Sequence, residues 1–133
     1  MSTIFVDFYR GAYGATLLFR IGHAEDLIKL KGVFRSLSNN TISEFDLRDF
    51  DNVQFTNVDT LIMTNLRTYA FTKRKGNIIY WEQPETDWYN DEGLMDGLIE
   101  GAMAKSGGHQ YFGSEDSVII KISYNEYNTA EDT

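Results

Sequence analysis

The stretch Ile4-Phe-Val-Asp-Phe-Tyr-Arg-Gly-Ala-Tyr-Gly-Ala-Thr-Leu-Leu-Phe-Arg-Ile21 is the clearest structural signal in the chain. On both sides of Gly11-Ala-Tyr-Gly14, side chains alternate between an apolar face and a mixed face, and this period of two predicts strands with one buried face. A short glycine-containing connection between two such strands predicts a β-hairpin.

After the hairpin the apolar period changes to that of a helix. From about His23, apolar residues recur at helical spacing, with acids in the first turn and Arg35 near the last, until Ser38-Asn39-Asn40 ends the pattern. The stretch 87–105 repeats this helical pattern and ends at Gly107-Gly108. The chain is therefore predicted to contain two helices.

The other segments are read as strands and turns. Residues 41–67 are expected to hold a strand, a loop and a second strand over 60–64. The segments 67–71 and 77–81 flank the basic turn 72–76 as a second hairpin, and 118–124 alternates as a last strand. Residues 125–133 form an acidic tail that is expected to fray. The prediction is one α+β domain over residues 1–133, a mostly antiparallel β-sheet with two α-helices packed on it.

Composition excludes several classes of protein. The chain has 133 residues, 42% of them hydrophobic and 24% charged, which is ordinary for one globular domain. It shows no apolar run long enough to span a membrane, and its start lacks the basic and apolar regions of a signal peptide. Because there is no Cys, disulfides and thiolate sites are excluded and the redox compartment stays open.

The charge of the chain is unevenly distributed. The formal net charge is −8. Residues 1–75 hold 10 bases and 8 acids, whereas residues 76–133 hold 2 bases and 12 acids. An acidic surface repels nucleic acid and anionic membranes and attracts basic partners. We therefore expect no nucleic-acid or membrane partner, and we interpret the cluster Lys73-Arg74-Lys75 as a solubilising hairpin turn.

The second helix contains residues that oppose helix formation. Its apolar face is predicted to comprise Leu94, Met95, Leu98, Ile99, Ala102 and Met103. Beside that face, Glu92, Asp96 and Glu100 form a column of like charges, and a second column consists of Gly93, Gly97 and Gly101. Each interior glycine costs about 0.5–1 kcal/mol relative to Ala, and each like-charge pair about 0.2–0.5 kcal/mol.

Two interpretations of these columns stay open. The glycines either let the helix lie close to the sheet or to the first helix, or they form a surface along which a partner approaches. In the second case the acids would meet basic groups of the partner, and nearby Tyr and Trp side chains would supply cation–π contacts. Because Trp81, Trp88 and Tyr89 have acidic neighbours in the sequence, we expect them to be partly exposed. The candidate partner-binding residues are Asp87, Trp88, Tyr89, Asp91, Glu92, Asp96, Glu100, His109 and Tyr111.

Catalytic and metal sites are not indicated. The two histidines, His23 and His109, have no metal-ligand spacing, and neither lies in a known nucleophile motif. His109 belongs to the glycine-flanked stretch Gly107-Gly-His-Gln-Tyr-Phe112, which is predicted to be a loop. No catalytic residue, metal ligand or cofactor is therefore assigned. An alternative hypothesis is that the protein is a small enzyme or ligand-binding domain with a pocket near His109, Tyr111 and Trp81. Another alternative is an oligomeric subunit that uses an exposed sheet edge.

The C-terminal part of the chain resembles the small bacterial immunity proteins of polymorphic-toxin and contact-dependent growth inhibition systems. The likeness rests on the acidic, Cys-free α+β layout and on Trp88 ahead of Leu94-Met-Asp-Gly-Leu-Ile-Glu100. It also includes Gly108-His-Gln-Tyr-Phe112 and Asp116-Ser-Val-Ile-Ile-Lys-Ile-Ser-Tyr124. Elsewhere it is limited to general layout, and no family residue is carried over individually.

The resemblance implies a cytoplasmic inhibitor that performs no chemistry itself. Such a protein binds one cognate toxin domain, often a nuclease, and blocks its active site or its access to substrate. Together with the acidic helix, the resemblance predicts a cognate protein toxin with a basic surface as the partner. The oligomeric state and the identity of the toxin stay open.

Overall fold

The computed structural model describes residues 1–112 and 118–125, and within them the predicted α+β class is confirmed. The described strands are β1 Ile4–Gly11, β2 Gly14–Ile21, β3 Glu44–Asp46, β4 Val53–Thr56, β5 Thr60–Thr64, β6 Phe71–Lys75, β7 Ile78–Glu82, β8 Gly108–Phe112 and β9 Ile119–Tyr124. The described helices are α1 Ala24–Ser38, α2 Glu85–Met103 and a 3₁₀ turn over Leu47–Asp49. Apart from Asn125, the predicted fraying tail lies outside the described residues.

The strands form two mixed sheets, whereas the sequence predicted one mostly antiparallel sheet. A five-stranded sheet has the order β4-β1-β2-β9-β8, and a four-stranded sheet has the order β3-β5-β7-β6. The predicted β1–β2 hairpin pairs Ile4 with Ile21, but β1–β4, β2–β9 and β5–β7 are parallel pairs. Two parallel neighbours are joined by a long connection, so the alternation of side chains within a strand does not show which other strand it pairs with.

Three local predictions were wrong. Residues 41–67 contain three strands, β3, β4 and β5, instead of the two expected. The turn of the second hairpin lies at Gly76, whose φ is 62°, and Lys73–Lys75 belong to β6. Strand β6 extends to Lys75 because it pairs with β7 along its whole length, from Phe71 opposite Glu82 to Lys75 opposite Ile78. The glycine-flanked segment around His109, predicted as a loop, is strand β8, which pairs with the distant β9.

The core lies between the sheets and the helices. One row across the five-stranded sheet, Val6, Phe19 and Ile122, is fully buried. The four-stranded sheet contributes Trp81, which joins an aromatic cluster with Phe34 of α1, Trp88 of α2 and Phe112 of β8. The Trp81 and Trp88 ring centroids are 4.7 Å apart, within the range at which aromatic pairs stabilise a core.

Helix α2 buries most of its predicted apolar face, but the buried side extends further toward the N-terminus. Met95, Leu98 and Ala102 are buried and Ile99 packs against the core, as predicted, and Trp88 and Asp91 are buried as well. Leu94 and Met103, assigned to the apolar face from the sequence, are 42% and 67% exposed. The Trp88 indole sets the rotation of the helix, since its Nε1 donates to the Thr64 carbonyl oxygen at 2.8 Å. Neither described helix is long and apolar enough to cross a membrane.

Candidate partner-binding surface

The predicted partner-binding residues differ in exposure. Tyr89, Asp96, Glu100, His109 and Tyr111 are exposed, Asp87 and Glu92 are partly buried, and Trp88 and Asp91 are buried. The Tyr89 side chain is 69% exposed, which agrees with the prediction of an accessible aromatic residue on this helix. The two buried residues cannot contact a partner directly.

The prediction that Trp88 and Trp81 lie partly at the surface was wrong. Both side chains have 0% exposure, and both contact Phe34 in the aromatic cluster. Acidic neighbours in the sequence suggested a surface position, but adjacent residues face different directions. Asp87 lies about 100° around the α2 axis from Trp88, and Glu82 lies on the opposite face of strand β7 from Trp81. Trp81 therefore cannot contribute to an open pocket beside His109.

Asp91 was also wrongly assigned to the partner surface. It is 8% exposed, and the Gln83 side-chain Nε2 donates to its Oδ2 at 2.5 Å. Burial raises the pKa of Asp91 to about 6, the Gln83 hydrogen bond opposes that rise, and the charge of Asp87 adds to it. Sequence reasoning missed Gln83, because no local pattern shows that a residue before a proline will face a buried carboxylate.

Two acids of the column on α2 pair with cations of α1. Lys31 Nζ lies 2.5 Å from Asp96 Oδ1, and Arg35 Nε lies 4.0 Å from Glu92 Oε2. Lys31 and Arg35 are four residues apart, as are Glu92 and Asp96, so this complementary spacing was a usable signal in the sequence. Exposed ion pairs contribute about 0–1 kcal/mol each, and a stronger basic partner can therefore compete for these acids.

A depression of about 280 Å³ lies between α1 and the N-terminal half of α2. It is lined by Lys31, Tyr89, Asn90, Glu92, Gly93 and Asp96. It combines an exposed aromatic ring with two carboxylates, and these groups suit an arginine or lysine side chain. Three of the predicted site residues, Tyr89, Glu92 and Asp96, meet here.

A smaller depression of about 130 Å³ lies at the C-terminal half of α2. Gly97 and Gly101 line it from the helix, and Gly107, Gly108 and His109 line it from the chain that enters β8. The His109 and Tyr111 ring centroids are 5.4 Å apart, and Lys121 Nζ lies 5.6 Å from the Tyr111 centroid. The structure thus brings His109 and Tyr111 together beside the glycine column.

The glycine column lies mainly on the open side of α2. A Cβ added at Gly93 or Gly97 would have no described atom within 4 Å, apart from the neighbouring chain and the helix backbone. At Gly101 the nearest such atom is the Ser106 carbonyl oxygen at 3.7 Å, an ordinary contact. Among the described residues, close internal packing therefore does not account for Gly93 and Gly97.

These features define one continuous face, which we call the α2 surface: Tyr89, Glu92, Gly93, Asp96, Gly97 and Glu100. Helix α2 carries acids from Glu85 to Glu100 and has no Lys or Arg between Glu85 and Met103. No cluster of three or more His, Asp or Glu side chains that could hold a metal ion occurs in the described part of the chain.

The chain was compared with protein-family models, with curated proteins and with solved structures. None of the three comparisons found a match.

Proposed function

We propose that the protein is a non-catalytic inhibitor of the immunity type, which neutralises a cognate toxin domain by covering a basic cleft. The single observation that carries the proposal is the α2 surface, where an exposed tyrosine and acids lie on a helix without a base. A basic cleft that binds a polyanion, such as the substrate cleft of a nuclease, is complementary to this surface.

The glycines of the α2 surface support a binding role. Gly93 and Gly97 cost the helix about 0.5–1 kcal/mol each relative to Ala. No described atom packs closely on them, so the protein gains no internal contact in return. A partner that approaches the helix backbone would supply a physical reason for the missing side chains.

The ion pairs between α1 and α2 suggest how binding proceeds. Lys31 and Arg35 hold Asp96 and Glu92 in place before a partner arrives. A toxin arginine that enters the depression beside Tyr89 would replace Lys31, so that one charge pair is exchanged for another. Because the carboxylates are already ordered, little side-chain entropy is lost on binding.

The alternative of an enzyme or ligand-binding domain has one supporting observation, the depression beside His109. Its volume of about 130 Å³ is small beside the roughly 300–1,000 Å³ of typical ligand pockets. Trp81, expected in that pocket, is buried in the core. The geometry therefore favours the binding function.

The first test is co-expression with the product of the adjacent gene in a bacterial host. We expect that product to prevent colony formation when expressed alone, and this protein to restore growth and to co-purify with it. A harmless neighbour, or a toxic one that this protein neither binds nor neutralises, would contradict the proposal.

The second part of the test is charge reversal on the α2 surface. Replacing Glu100 by Lys should weaken toxin binding by about 10-fold or more and reduce the dependence of the association rate on salt. The matched control is Asp51→Lys, an equal charge change at an exposed position outside α2. Equal affinity losses in both variants would show that net charge alone acts, and that the α2 surface is not the site.

A further inference from the structure

Asp91 occupies an unusual position on the buried side of α2. Its side chain lies under the helix at 8% exposure and accepts one hydrogen bond, from Gln83. Gln83 is itself 2% exposed, and its Oε1 accepts from the Trp81 indole at 3.1 Å. This chain of contacts joins α2 to strand β7 through three buried side chains, of which only Asp91 can change its charge.

The surroundings of Asp91 do not neutralise a negative charge. Among the described residues it has no ion-pair partner, and Asp87, one turn earlier on α2, adds a like charge. A buried carboxylate with one neutral hydrogen bond keeps most of the cost of losing its hydration. The protonated form has no such cost and still accepts the hydrogen bond from Gln83.

The other charged groups near α2 are engaged elsewhere. The titratable groups on the elements beside α2 are, on α1, Glu25, Asp26, Lys29, Lys31 and Arg35; on β7, Tyr80 and Glu82; on β8, His109 and Tyr111; and on β9, Lys121 and Tyr124. Lys31 and Arg35 pair with Asp96 and Glu92, and Glu82 pairs with Arg67 at 3.1 Å. None of these groups acts on the carboxylate of Asp91 as strongly as burial, Gln83 and Asp87 do.

We infer that the docking of α2 onto strand β7 is proton-dependent: protonation of Asp91 removes the cost of burying its charge beneath the helix, and ionised Asp91 loosens the helix although the hydrogen bond from Gln83 persists. The rest of α2 is held by packing, by the Trp88 indole hydrogen bond to the Thr64 carbonyl and by two weak ion pairs with α1, whereas Gly93, Gly97 and the acidic column weaken the helix itself. We therefore expect the helix that bears the α2 surface to open more readily at neutral pH than at pH 5. This inference does not depend on the proposed function.

The sign of the effect follows from the pKa of Asp91, which is raised from 3.8 when unfolded to about 6 in the fold. The stabilising contribution of the bound proton is complete below 3.8 and is lost as the pH rises through about 6. Between pH 5 and pH 7.5, these values predict that the opening equilibrium of α2 increases about tenfold.

Hydrogen exchange followed by mass spectrometry on the full chain tests the inference. Peptides from Glu85–Met103 are compared at pH 5 and 7.5, after correction for the intrinsic exchange rates. We expect about tenfold less protection of α2 at the higher pH, and less protection of α2 than of β1 and β2 at pH 7.5, because α2 opens without unfolding of the sheet. Equal protection of α2 at both pH values, or protection of α2 equal to that of β1 and β2 at pH 7.5, would overturn the inference.

Two variants on α2 separate Asp91 from its neighbour. Asp91→Asn should make the protection of α2 independent of pH, whereas Asp87→Asn, which removes the same charge from the same helix, should keep most of the dependence. A dependence that persists unchanged in Asp91→Asn would overturn the inference.

A measurement on the unaltered chain covers the case that Asp91→Asn fails to fold. The carboxyl ¹³C resonance of Asp91 should titrate with a midpoint near 6. A midpoint below about 4.5, close to that of an ordinary aspartate, would overturn the inference.

Discussion

The two helices lie side by side on the same core, but their sequences support helix formation to different degrees. Helix α1 has Glu25 and Asp26 in its first turn and Arg35 in its last, as the helix dipole favours. Helix α2 also begins with acids, but it has no base in its last turn and continues with acids and glycines. Local sequence preference accounts for α1, whereas α2 depends on the surfaces against which it packs.

The buried carboxylates of the two helices show the same contrast. Asp26, 6% exposed in the first turn of α1, accepts hydrogen bonds from Thr3 Oγ1 at 2.8 Å and Asn52 Nδ2 at 2.9 Å. Asp91, 8% exposed and in the second turn of α2, accepts one hydrogen bond and has a like charge beside it. Burial of a carboxylate is therefore well compensated in α1 and poorly compensated in α2.

The largest expected effect comes from removing the ring that joins the helices. Phe34 of α1 contacts Trp81, Trp88 and Phe112, with ring centroids 5.3–5.8 Å apart. Phe34→Ala should lower the free energy of unfolding by about 3–5 kcal/mol, because it leaves a cavity among large rings. Urea unfolding measures the loss, and the control is Ile28→Ala at a 46% exposed position of α1. Similar losses in both variants would show that the aromatic cluster is not the main contact between the helices.

A smaller effect separates the two carboxylates. Asp91→Asn removes a poorly compensated charge. It should raise the free energy of unfolding more at pH 7.5 than at pH 5, by a difference of about 1.4 kcal/mol, which corresponds to the tenfold change in the opening equilibrium. Asp26→Asn turns an amide NH₂ toward a donor and should lower the free energy of unfolding by about 1–2 kcal/mol. Urea unfolding at both pH values measures these changes. If Asp91→Asn destabilises the protein equally at pH 5 and pH 7.5, the contrast between the carboxylates is wrong.

The smallest effects concern the exposed glycines. Gly93→Ala and Gly97→Ala should each raise the free energy of unfolding by about 0.5–1 kcal/mol, because a methyl group meets no described atom there. Gly32→Ala in α1 is the matched control, since a Cβ at Gly32 also meets open space. Thermal unfolding of the three variants measures the gain. A loss at Gly93 or Gly97 with a gain at Gly32 would show that α2 needs its glycines for internal packing.

The sequence predicted the elements better than their arrangement. The first hairpin and both helices follow from periods of two and 3.6 residues, which the local chain controls. The parallel strand pairs and the division into two sheets could not be predicted from these periods, because the strands that pair are far apart in the chain. Of the predicted site residues, Tyr89 and Glu100 were placed correctly at the surface, but Trp88 and Asp91 were not.

What the sequence determined by itself is the α+β composition of the domain and the acidic character of α2, because periodicity and charge are properties of the local chain. Only the tertiary structure decided that Trp88 and Asp91 join the buried side of α2 and that Leu94 and Met103 are exposed. The anchoring of Trp88 between Phe34 and Trp81 sets the rotation of the helix. That rotation turns Asp91 toward the core and leaves Gly93 and Gly97 on the open side of the helix. With 3.6 residues per turn, residues two positions apart, such as Asp91 and Gly93, lie on opposite sides of the helix axis.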